Sequence, residues 1–170
     1  MANLLITGGA GFIGANFVHH WLREHPGDRV IVLDALTYAG NLASLEPVKA
    51  NPGFAFVHGD IRTPGLAERL LREHDVTLLV HFAAESHVDR SIVGPDAFME
   101  TNVGGTHELL KAARKVWLVE GKGGGQFARK IWVTMVAPLP PMFCAIPILA
   151  PGTCVAPASP RSCCTTSTIW

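Results

Sequence analysis

Gly8, Gly11 and Gly14 stand three residues apart in Thr7-Gly8-Gly9-Ala10-Gly11-Phe12-Ile13-Gly14, directly after the apolar run Asn3 to Thr7. That run reads as a short buried strand. The residues after it read as a helix from about Gly11 to His25, with Ile13, Phe17 and Trp21 as its apolar face. A glycine turn between a strand and a helix suits one kind of chemistry. Gly8 lets the chain turn sharply, Gly11 leaves backbone open to an anion, and Gly14 lets helix and sheet pack closely. Free N–H groups and the positive dipole end at the helix start then attract phosphate. Asp34 follows about 20 residues later, at the end of a second strand, where a carboxylate accepts both hydroxyls of an adenosine ribose. The constellation predicts a bound dinucleotide. A carboxylate would repel a 2′-phosphate, which favours NAD over NADP.

Other candidate residues have two readings each. Asp60 and Ile61 follow a third strand; Asp60 could meet a ligand or cap the turn near Thr63. Phe82-Ala83-Ala84 ends a fourth strand with small residues that suit either a cofactor backbone or tight packing. His81, in an apolar strand, reads as a hydrogen-bonded core histidine. Glu85, His87, Asp89 and Arg90 read as a solvated loop with local ion pairs. None of the 8 histidines pairs with Cys or acids at a metal-ligand spacing, so no metal site is assigned.

The elements that position these residues alternate. Strands are predicted at Asn3 to Thr7, Arg29 to Asp34, Phe54 to Val57, Val76 to Phe82 and Lys130 to Thr134. A helix begins at Thr63-Pro64, an N-cap hydroxyl followed by proline, with Leu66, Leu70 and Leu71 inward. A long helix runs from about Pro95 to Trp117, with Leu109, Leu110, Ala113 and Trp117 inward. Gly121 to Gly125 reads as a flexible loop. This order implies an α/β fold: an incomplete doubly wound Rossmann domain, its parallel sheet covered by helices on both faces.

Composition divides the chain. With 14 basic and 14 acidic residues the formal net charge is +0, so no cationic surplus points to nucleic acid. Residues 135–170 hold one charged side chain, Arg161, together with all four cysteines and 7 of the 12 prolines. Residues 1–134 are therefore read as the partial NAD-binding domain and 135–170 as an irregular tail. The uncharged span Ile131 to Ala150 has the length of a membrane crossing, but its prolines break a helix, so no membrane association is expected. Cys144, Cys154, Cys163 and Cys164 fit no finger spacing and are read as free thiols. With no export pattern at the N-terminus, the expected location is cytoplasmic.

Longer segments carry a resemblance. Leu33-Asp34-Ala35-Leu36-Thr37-Tyr38-Ala39-Gly40-Asn41, Val57-His58-Gly59-Asp60-Ile61, the run His81 to Ser91 (HFAAESHVDRS) and Thr101-Asn102-Val103 with Gly105-Thr106 resemble the dTDP-glucose 4,6-dehydratases. These belong to the extended short-chain dehydrogenase/reductase superfamily, and the likeness covers about residues 2–117. The resemblance implies that Phe12 and Ile13 lie on the pyrophosphate. Asp34, Ala35, Leu36 and Thr37 would surround the adenosine ribose, and Asp60 and Ile61 the adenine. Phe82, Ala83, Ala84, Ser86 and Thr101 would line the nicotinamide half, with Ser86 also near a dTDP-hexose substrate. It further implies NAD-dependent oxidation at C4, loss of water across C5–C6, hydride return to C6, and a homodimer for full-length members.

The sequence departs from that pattern after Val133-Thr134. Met135 and Val136 stand where the family has an acid pair after threonine, and neither transfers a proton. The single tyrosine, Tyr38, is followed by Ala39-Gly40-Asn41-Leu42, so the family's Tyr-x-x-x-Lys pair is missing. The expectation is a reading-frame change or truncation starting between Gly121 and Met135, with no catalytic residue assigned and NAD binding retained.

Overall fold

The computed structural model describes residues 1–120 and 130–133. The expectations for Gly121 to Gly125, for Thr134 and for the tail lie outside the described residues. Five strands, β1 (Asn3–Thr7), β2 (Arg29–Asp34), β3 (Phe54–His58), β4 (Leu78–His81) and β5 (Lys130–Val133), form one sheet in the order β3-β2-β1-β4-β5. Every pairing is parallel; Leu5 of β1 lies between Ile31 of β2 and Leu79 of β4. Leu4, Leu5 and Ile6 are fully buried, as a central strand covered on both faces requires.

Alternation along the strands splits the core in two. Leu4, Ile6, Val30, Val32 and Val80 face α1 (Phe12–Glu24) and a 3₁₀ turn at Leu42–Val48, whose Leu45 is buried. Leu5, Ile31, Leu33 and Leu79 face α2 (Leu66–Glu73) and a long helical rod. Each fully buried leucine or isoleucine here contributes about 1.5–3 kcal/mol of apolar burial. A short α3 (Val88–Val93) precedes the rod, α4, which spans residues 96–119. The rod is α-helical at Asp96–Phe98 and Thr106–Ala113 and widens into π turns at Met99–Gly105 and Arg114–Val119.

Several elements differ from the sequence expectation. The buried stripe of α1 is Gly14, Ala15, Val18 and Leu22. Phe17 and Trp21 pack at its margin, and Ile13 is 43% exposed. Small residues at 14 and 15 let the helix approach the glycine turn, which rotates the bulkier row aside. Thr63 does not cap α2. The Thr63 amide donates to the Asp60 carbonyl, so Thr63 and Pro64 complete a turn and Gly65, at φ +76°, takes the cap position. Residues 88–93 form a helix instead of a loop. On α4, Leu109, Ala113 and Trp117 are buried as expected, joined by Ala112 and Val116, while Leu110 is only half-buried.

Two devices seat the rod. The Trp117 Nε1–H donates to the Val76 carbonyl at 3.1 Å, which satisfies the indole inside the core. Outside, Arg72 of α2 binds Glu68 and Glu120, and Lys115 binds Glu68. The rod and α2 are thus held by apolar burial beneath a charged rim. No helix among the described residues is long and apolar enough to cross a membrane.

Candidate functional site

The strand order reverses between β1 and β4, because β2 and β3 extend to one side and β4 and β5 to the other. Loops leaving neighbouring strands therefore part at their carboxyl ends, where a crevice opens. A cleft of about 290 Å³ lies there. Of the residues expected at a dinucleotide, Gly8, Gly11, Phe12, Ile13, Gly14, Asp34, Ala35, Thr37, Asp60, Ile61, Phe82, Ala83, Ala84, Ser86 and Thr101 line it. Leu36 does not. Its side chain packs on the α1 side of the sheet, while its backbone amide holds the Asp34 carboxylate. Leu33, Ala39, Gly40, Gly59, Arg62 and Glu85 also line the cleft without having been assigned to it. Ala39 and Gly40 stand inside the LTYAGN segment, and Gly59 and Arg62 flank Asp60, so the segments were visible and only the individual roles were missed.

The glycine turn is built for close approach. Gly8 sits at φ +70°, and a Cβ there would come 2.5 Å from the Ala83 amide nitrogen. A Cβ on Gly14 would land directly on the Gly8 carbonyl oxygen and 2.7 Å from Gly9 Cα. Gly14 thus packs the helix on the loop, whereas contact with the sheet falls to Gly9, whose Cβ would lie 2.6 Å from a Val32 methyl. Gly11 differs: a Cβ there meets nothing of the protein nearer than the Gly8 oxygen at 3.4 Å. Gly11 also caps α1 with no side-chain hydrogen bond, so the first amides of the helix keep their donors for an anion. This cradle fits a pyrophosphate.

Asp34 ties that turn to the next loop. Its Oδ2 accepts from the Ala10 amide at 2.8 Å and its Oδ1 from the Leu36 amide at 2.8 Å. The side chain is buried, and Leu36 takes φ +51° to complete the bond. Each oxygen retains a second acceptor site, enough for two hydroxyls. Gly40 is what admits the carboxylate, since a Cβ there would lie 2.9 Å from Oδ1.

Across the cleft, Asp60 is engaged by Arg62 through the backbone amide at 2.8 Å and through Nε and Nη2 at 2.9 and 2.7 Å. The guanidinium beside it holds the Asp60 carboxyl below its usual range. Arg62 also reaches Glu100 of α4 at 3.1 Å. On the open side, the Ser86 amide donates to the Tyr38 hydroxyl at 3.3 Å. Glu85 presents its backbone to Asn102, which accepts from the Glu85 amide at 2.8 Å and donates to its carbonyl at 2.9 Å.

His81 is buried and fully bonded, to Thr7 Oγ1 at 2.6 Å through Nδ1 and to Thr106 Oγ1 at 3.0 Å through Nε2. Burial lowers its pKa from 6.5 to about 4. The native state therefore holds the neutral ring, while the unfolded chain takes up a proton as pH falls through 6.5. Stability from this residue is complete above about pH 6.5, declines as pH drops, and levels off below pH 4. Between pH 7 and pH 5 the unfolding free energy is expected to fall by about 2 kcal/mol on this account. Urea unfolding at the two pH values measures it. A His81→Gln variant that shows the same decline would place its origin elsewhere. Among the described residues no group of histidine, cysteine and acids could hold a metal.

Comparison with known proteins decides the lineage. Residues 5–126 match the profile of the GDP-mannose 4,6 dehydratase family. The chain belongs to that family. Over 117 residues it is 56% identical to the dTDP-glucose 4,6-dehydratase of Xanthomonas campestris pv. campestris, covering 69% of this chain and 33% of the relative. Over 112 residues it is 54% identical to the dTDP-glucose 4,6-dehydratase of Mycobacterium tuberculosis, covering 66% and 33%. The chain spans about a third of the length of the curated relatives it matches. Among solved structures it is similar to the dTDP-glucose 4,6-dehydratase DesIV of Streptomyces venezuelae, crystallised with NAD. The TM-score is 0.63 and the identity 58%, over 68% of this chain and 36% of that one. The UDP-glucose 4-epimerase of Thermus thermophilus, also with NAD, matches at TM-score 0.59 and 34% identity, over 68% and 35%. The family profile ends before residue 135, where the composition has already changed.

Proposed function

We propose that this chain is the NAD-holding part of a dTDP-glucose 4,6-dehydratase, with adenosine over β2 and β3, pyrophosphate on the glycine turn and nicotinamide over β4. The observation that carries the reading is Asp34: a buried carboxylate that clamps the glycine turn and still offers acceptors to the cleft. NAD identified in the similar dehydratase and epimerase structures supports it.

In the complete enzyme, bound NAD would take a hydride from hexose C4 and return it to C6 after water leaves across C5–C6. The residues of this chain do the holding. The first amides of α1 neutralise the pyrophosphate, Asp34 accepts the ribose hydroxyls, and Ser86 faces the dTDP-hexose from the nicotinamide side. Homodimerisation of the complete enzyme would use α4, where Met99 and Val103 are exposed apolar residues. No Tyr-x-x-x-Lys occurs in these 170 residues, so they are expected to bind NAD without turnover, as a dinucleotide-binding module.

Calorimetric titration of the purified chain tests this. NAD is expected to bind at least about tenfold more tightly than NADP, a difference of ~1.4 kcal/mol. Incubation with dTDP-glucose is expected to yield no 4-keto-6-deoxy sugar. Equal affinity for the two cofactors would overturn the NAD assignment, and formation of the keto sugar would overturn the absence of turnover.

A further inference from the structure

Thr7 ends β1 and leads into the glycine turn, His81 ends β4 beside it, and Thr106 and Asn102 lie on α4. Their hydrogen bonds run in one direction. Thr106 Oγ1–H donates to the Asn102 carbonyl at 2.6 Å. With its only proton committed, Thr106 can only accept from His81, so His81 Nε2 carries the hydrogen. Nδ1 is then bare and accepts from Thr7 Oγ1–H. At the far end, the Asn102 side chain binds both backbone groups of Glu85.

We propose that this chain of groups, from Thr7 through His81 and Thr106 to Asn102, is a positioning relay that sets the wall formed by residues 84–86 and Thr101 against the glycine turn, and so orients the nicotinamide half of the dinucleotide. The inference rests on the NAD reading above. A dinucleotide lying across the switch point with its adenosine ribose on Asp34 must carry its other half over β4. That half meets Ala84, Ser86 and Thr101, which line the cleft. Glu85, between Ala84 and Ser86, has no freedom of its own, since one amide side chain takes both its N–H and its C=O. The relay is polar where a purely structural core would be apolar. A valine fills the volume of Thr7 or Thr106 without any bond to satisfy. The π turn at Met99–Gly105 holds both Thr101 and Asn102, and such departures from α geometry concentrate at functional sites.

Paired calorimetric titrations with NAD and ADP-ribose test the relay, because ADP-ribose carries everything but the nicotinamide ring. Thr106→Val is expected to weaken NAD about tenfold, the worth of a half-buried hydrogen bond left without its acceptor, while ADP-ribose affinity changes less than about twofold. Thr106→Ser keeps the hydroxyl and is expected to restore NAD affinity. Thr7→Val, at the other end of the relay, is expected to repeat the selective loss. Retained ADP-ribose binding shows that each variant is folded. Equal weakening of both ligands, or no weakening of either, overturns the relay. A wild-type chain that binds neither ligand overturns the NAD reading instead.

Discussion

Gly14→Ala is expected to lower NAD affinity about 100-fold and to destabilise the fold by about 1–3 kcal/mol. The added methyl would sit on the Gly8 carbonyl oxygen and 2.7 Å from Gly9 Cα. Both obstacles are backbone, so neither can rotate away. The start of α1 must lift from the turn, and its first amides move with it. Those amides are the donors aimed at the pyrophosphate, so a displacement tolerable for folding is severe for binding. Gly11→Ala separates the two effects. Its Cβ has 3.4 Å to the nearest protein atom, so thermal stability is expected to change by less than about 1 kcal/mol, while the methyl still narrows the anion cradle. Thermal unfolding with and without NAD measures both quantities. A Gly14→Ala chain with wild-type affinity and melting temperature would show that the turn can relax without cost, and the glycine argument would fail.

The glycine turn was legible because its constraints are local. A strand, a tight turn and a helix start follow each other within a dozen residues, and glycine at 14 answers to backbone five and six positions away; that Gly8 answers to Ala83 of the neighbouring strand end was not visible. The strands were equally legible: central parallel strands are apolar on both faces, as Leu4, Leu5 and Ile6 show. The start of α2 was less so. Thr63-Pro64 has the chemistry of a helix start, yet Arg62 folds back on Asp60 and moves the cap to Gly65. The direction of the Leu36 side chain was not legible, because proximity in sequence to Asp34 does not say which way a side chain turns once φ is positive. The relay through His81 was the least legible. Thr7, His81 and Thr106 are separated by 74 and 25 positions, and no period or local pattern joins them. Periodicity did identify His81 as a core histidine; only the sheet register, which sets Thr7 opposite His81, reveals what it bonds.

Asp34→Asn is expected to weaken NAD binding about 30- to 100-fold while leaving NADP binding unchanged or improved. The carboxylate has about four acceptor sites. Two are used by the Ala10 and Leu36 amides, and two remain for the ribose hydroxyls. An amide of the same shape offers one oxygen. Its NH₂ group must face either the Ala10 or the Leu36 amide, donor against donor, and that buried N–H loses its partner at about 1–3 kcal/mol. Loss of the charge-assisted ribose bonds is worth a similar amount. The sum of the two would exceed the stated loss. It does not apply in full, because part of the first cost is already borne by the free protein and appears as lower stability. NADP isolates the remainder. Its 2′-phosphate is repelled by the carboxylate and not by the amide, so the variant removes a penalty from NADP while removing a contact from NAD. Titration of both cofactors against both proteins gives the ratio directly. If NAD and NADP weaken together, Asp34 acts only by holding Ala10 and Leu36 in place, and the cofactor preference arises from another residue in the cleft.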